Sequence, residues 1–217
     1  MRSFFNRAGD VVRRLTQPLG LQAPGAATGT EAHAQFLRDL ALGSPNAARL
    51  YWRLASDPRT ARAELAGHGI EPQSDAALAD ALCVFVAASK GLTTNTDWVA
   101  EPDYLLHEFD AQLAAHGVQT TDAQKVQVIG YANTHIPMER GDFIGWMYGP
   151  MAALAAQHGL KVINLQDGSD AYKFAVVTPD VYQRWLGFAF SDTLSVEDPS
   201  VQFAQQLTGS PYAVFLR

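Results

Sequence analysis

Cys83 is the only cysteine in 217 residues, so the chain can form no internal disulfide and no thiolate cluster for zinc. No apolar run approaches the roughly 20 residues a bilayer span requires, and "MRSFFNRAGDVV" lacks the continuous apolar stretch of a secretory signal. Walker, dinucleotide-binding, HExxH and GxSxG motifs are all missing. Positive charge is absent from 91 to 124, where Asp97, Glu101, Asp103, Glu108, Asp110 and Asp122 stand without a Lys or Arg. Residues 1–15, with Arg2, Arg7, Arg13 and Arg14 against Asp10, hold a surplus of three positive charges. The rest of the chain is therefore near -9, against -6 for the whole. Such a body repels a phosphate backbone, which argues against nucleic acid as a partner. A cytoplasmic protein is expected, and the Ala-rich, Lys-poor composition suggests a bacterial one.

What is present is ample apolar material: 47% of residues, enough for a core. Residues 2–15 put Phe4, Ala8, Val11, Val12 and Leu15 on one helical face with arginines along much of the other. This basic amphipathic arm is read as a terminal helix packed on its own domain, with contact to an anionic membrane surface as the alternative. Residues 16–29, "TQPLGLQAPGAATG", are a Pro/Gly linker. Residues 30–217 are expected to form one α+β domain. Helical periodicity dominates through Gly117, with Leu78, Leu82, Phe85 and Val86 as one core stripe holding Cys83 as a small buried hydrophobe. Beyond Asp122 the text reads strand (125–133), helix, strand "LKVINLQ", turn "DGSD", strand "YKFAVVTP", helix "DVYQRWLGFAF" and a last strand "PYAVFLR". A helix between the first two strands would make them a parallel pair, giving a mixed sheet.

Two constellations could carry function. "NTHIPMERGDFIGWMY" (133–148) gathers His135, Glu139 and Asp142 after an expected strand, where α/β active sites collect. These residues would serve a hydrolase or metal-assisted enzyme, with Trp146 and Tyr148 as pocket walls. No spacing there demands a metal, and an ordinary solvated turn is the reading favoured. The second is the helix "PDYLLHEFDAQLAAHG", where Asp103, His107 and Asp110 recur at i, i+4 and i+7 opposite Leu105, Leu106, Phe109 and Leu113. Asp97 and Trp98 precede it, as cap and anchor of an interface or as a core tryptophan beside a capping aspartate. His68, His116 and His158 each precede a glycine, where a helix C-terminus favours partial positive charge; His33 lies on an Ala-rich helix.

Over residues 80–190, Asp97-Trp98 before a helix, Gly159-Leu160, and Asp170 with Tyr172 leading to a strand and a closing helix resemble a bacterial family of proteins of unknown function. The resemblance implies a compact α+β domain and no established activity. From the residues themselves, the expected role is a protein-binding module, adaptor-like or immunity-like. Its acidic surface at 91–124, including Asp97, Trp98, Asp103, His107, Glu108 and Asp110, would meet a basic protein. No metal or cofactor is expected.

Overall fold

Four helices come first among the described residues, three of them begun or ended by a residue suited to the position. The computed structural model describes residues 29–97, 102–135 and 142–216; the basic arm, Trp98 and Glu139 lie outside them. Helix α1 (Thr30–Leu40) stops at Gly43, whose φ of 82° lets its N–H reach back to the Arg38 carbonyl at 2.9 Å. After α2 (Asn46–Ala55), Asp57 caps α3 (Pro58–Gly67) by accepting from the Arg59 and Thr60 amides, and Ser74 caps α4 (Asp75–Ser89). Phe36, Leu37, Tyr51, Leu65, Leu82 and Val86 from these helices are buried in one core. Cys83 is fully buried in it; burial pushes its thiol pKa up, and the nearby Asp80 charge adds to the effect.

A two-residue strand β1 (Thr96–Asp97) leads to a second helical group: α5 (Pro102–Ala115), α6 (Asp122–Asn133) and α7 (Asp142–Gln157). Helix α6 occupies the stretch expected to be a strand. Thr121 and Gln124 close a full capping box there, and Val128 and Ala132 are buried four positions apart with Ile129 packed beside them. The helical period thus overrides the β-branched composition. Helix α7 runs through Pro150, giving up one rung of its hydrogen-bond ladder. Its Gly145 and Gly149 admit other side chains: a Cβ would lie 2.9 Å from Phe203 at the first and 2.8 Å from the Tyr212 ring at the second.

Strands β2 (Lys161–Gln166), β3 (Ala171–Tyr172) and β4 (Phe174–Val177) follow, then helix α8 (Pro179–Trp185), β5 (Ser195–Glu197), short helices α9 (Pro199–Gln202) and α10 (Ala204–Leu207), and a 3-10 turn at Ala213–Phe215. The order β4-β2-β5 is antiparallel throughout, with Lys161 opposite Val177 and Leu165 opposite Val196; β1 pairs antiparallel with β3. The expected parallel pair and mixed sheet are not found among the described residues because residues 125–133 are helical; the one crossover there, from β4 through α8 to β5, joins strands on either side of β2. In the stretch "PYAVFLR", expected to be a strand, Ala213–Phe215 form the 3-10 turn, with Tyr212, Phe215 and Leu216 packing on the second core.

Both faces of the larger sheet are covered, which is why its strands read as unbroken apolar runs. Ile163, Leu165, Ala175, Val177 and Val196 face the α1–α4 core; Val162, Phe174 and Val176 face the core of α5–α7. The outward edge of β4 is sealed by side chains. Gln112 on α5 donates to the Phe174 carbonyl (3.1 Å) and accepts from the Val176 amide (2.8 Å), while His116 contacts the Val176 carbonyl at 2.9 Å. Thr94 supplies its amide to the Phe174 carbonyl and its hydroxyl oxygen to the Phe174 amide. Every outward-facing backbone group of Phe174 and Val176 is thereby satisfied, and the edge offers no template for another strand. Among the described residues no helix is long and apolar enough to cross a membrane.

Candidate functional site

The stretch 133–148 does not assemble a catalytic pair among the described residues. His135 lies just past α6, with Nδ1 2.9 Å from the Tyr131 carbonyl, and its ring stacks on Trp146 at 3.6 Å and 12°. Tyr148 is buried against Phe174 and Phe203 and walls no pocket at His135. Glu139 and the side chain of Asp142 lie outside the described residues. No group of three His, Cys, Asp or Glu side chains among the described residues is placed to hold a metal ion.

Helix α5 does gather its polar residues. Asp103, His107 and Asp110, one and two turns apart, line one wall of a groove of about 390 Å³. Lys125, Gly130 and Asn133 of α6 line the other, and Leu106, Val126 and Ile129 supply its apolar surface. The groove exists because α6 turns its buried stripe toward α7, and Gly130 brings no side chain to fill the gap. Val126 at the rim is 69% exposed. Asp110 accepts from Lys125 Nζ at 2.7 Å and from the Thr120 hydroxyl. Partial burial would raise the Asp110 pKa, but Lys125, Thr120 and His107 more than offset it and hold the carboxyl below its ordinary value. Asp103 is exposed, with no hydrogen bond or ion pair among the described residues.

The other acidic-surface residues are placed apart from the groove. Glu108 turns to the opposite side of α5, accepting from the Asn95 amide (3.2 Å), the Thr96 hydroxyl (3.4 Å) and the Tyr104 hydroxyl (2.7 Å). It fastens the loop before β1 to the helix, and its hydrogen bond raises the Tyr104 pKa. Asp97 is exposed on β1 opposite Ala171, with Thr96 opposite Tyr172, so two segments distant in sequence lie side by side.

Two polar clusters escaped sequence reading. His33 is 2% exposed, stacked between Tyr51 and Phe190. Its Nδ1 lies 3.1 Å from the Gly29 carbonyl and its Nε2 2.8 Å from the Asp80 carboxylate, to which it donates. Asp80 also accepts from the Ser191 and Thr193 hydroxyls. Both the histidine and the serine donate to the carboxylate, so no base faces Ser191 and the arrangement is a tie, not a nucleophile with its base. The signal was an aspartate within the apolar helix "DAALADALCVFVAAS". The second cluster is Lys173, 4% exposed, whose ammonium donates to Asp167 (3.0 Å) and Ser169 (2.7 Å) and locks the 167–170 turn.

In comparisons with protein families, curated proteins and solved structures, the chain matches none.

Proposed function

We propose that the chain is a protein-binding module that receives a basic, amphipathic segment in the α5–α6 groove. The observation that carries this reading is the convergence of Asp103, His107 and Asp110 beside the apolar Leu106, Val126 and Ile129. An acidic wall over an apolar floor suits a helix with arginines on one side and large apolar side chains on the other. Opposite charge speeds encounter and fixes orientation, while apolar burial slows release. Asp110 is already paired with Lys125, which leaves Asp103 as the group that selects for charge. An adaptor or immunity-like role in the cytoplasm follows from this reading, and a single buried Cys83 suits a reducing compartment.

A synthetic helix with leucines on one face and arginines on the other, titrated into the full chain, tests it. Binding is expected to weaken with added salt and by about tenfold in Asp103→Lys. Affinity indifferent to both salt and Asp103→Lys, with the circular dichroism spectrum unchanged, would overturn the reading.

A further inference from the structure

The groove can be given a particular occupant, an inference that rests on the reading of the groove just given. We propose that the chain's own residues 2–15 dock intramolecularly along the α5–α6 groove and compete there with outside partners. The sequence of this segment matches the groove in both respects. Its surplus of three positive charges complements Asp103 and Asp110 on the α5 wall of the groove, of which Asp110 already holds Lys125. Its apolar face of Phe4, Val11 and Leu15 would cover Leu106, Ile129 and the exposed Val126. The exposed face of α2, with Arg49, Trp52 and Arg53, repels the same arginines, so charge directs the segment to α5.

Fourteen residues, the length of 16–29, span at most about 45–50 Å, and a Gly-containing coil of that length averages roughly 20 Å. A folded body of the whole chain's length is about 40 Å across. Tethering makes the contact intramolecular and sets the segment's effective concentration at the groove by how well the linker length matches the span. A contact too weak to hold a free peptide therefore holds this one.

The test uses the full chain with Ala8→Cys and Val126→Cys, oxidised mildly and followed as an intramolecular disulfide; the native Cys83 is buried and stays silent. A control pairs Ala8→Cys with Val214→Cys, which is 81% exposed and outside the groove. Cross-linking at position 126 is expected to run about tenfold faster than at 214. Changing Arg7, Arg13 and Arg14 to Glu is expected to remove that difference and to tighten binding of the leucine/arginine peptide about tenfold. Equal rates at 126 and 214 would overturn the proposal, as would a disulfide-linked dimer whose yield rises with concentration, which would assign the groove to a second copy. Peptide binding of equal strength with and without the three arginines would overturn docking by residues 2–15 and leave the groove as a site for outside partners. Selective cross-linking with no peptide binding to either chain would do the reverse.

Discussion

In the α1–α4 layer an aspartate and a histidine meet inside the protein: Asp80 and His33 lie 2.8 Å apart, nearly sealed from solvent, with Ser191 and Thr193 completing the shell. In the α5–α7 layer the same residue types, Asp103, His107 and Asp110, line an open groove, and Asp103 meets no partner among the described residues. The chemistry of the side chains is identical, and their surroundings divide the work. A closed cluster spends all its donors and acceptors on the protein itself and serves to position α1, α4 and the 191–194 turn. An open one retains capacity for something else. Burial and satisfaction, more than residue type, distinguish a structural polar group from a binding one.

The sharpest way to break that contrast is Asp80→Ala, which leaves His33 buried opposite nothing. A loss of about 3–5 kcal/mol is expected in urea unfolding, against no measurable loss for Asp103→Ala. Burial alone would raise the Asp80 pKa, but the His33 and Ser191 hydrogen bonds, the His33 charge and Thr193 more than offset this and lower it. A lowered folded value means the contribution is complete above the ordinary carboxylate pKa of about 4 and is lost as pH falls through the folded value. Stability measured below about pH 4 should therefore fall more steeply in the native chain than in Asp80→Ala. Gln112→Leu should cost about 2 kcal/mol by stranding the Val176 amide at the β4 edge, read as a lower denaturation midpoint. Gly149→Ala, forcing a Cβ to 2.8 Å from Tyr212, should cost about 1–3 kcal/mol. Gly130→Ala, where a Cβ meets nothing within 4 Å, should raise the melting temperature through a gain of about 0.5–1 kcal/mol.

Much of this architecture is legible in local text. The stripe through Leu78, Leu82 and Val86 announces α4, and "LKVINLQ", "DGSD" and "YKFAVVTP" announce β2, its turn and β4. Residues 125–133 mislead because Val126, Val128 and Ile129 suggest a strand, while the decisive signal, the Thr121–Gln124 capping box, lies just before them. Strand β5 is three residues long and depends on pairing with β2, so nothing local marks it. The groove wall is legible as i, i+4, i+7 spacing on one helix; its second wall is not, because Lys125 and Val126 reach it only through the packing of α6 on α7. Glu108 shows the limit of composition. It counts as surface charge in the sequence and is consumed internally by Asn95, Thr96 and Tyr104 in the fold.

Helix α5 is committed on both sides, since Gln112 and His116 hold the β4 backbone while Asp103 and Asp110 face the groove. It cannot swing outward without stripping the edge strand β4 of those hydrogen bonds. The α5 wall of the groove is thereby held to the sheet. The α6 wall is held to α5 by the Lys125–Asp110 pair and to α7 by Val128 and Ala132, so the groove behaves as a vice with its jaws already set.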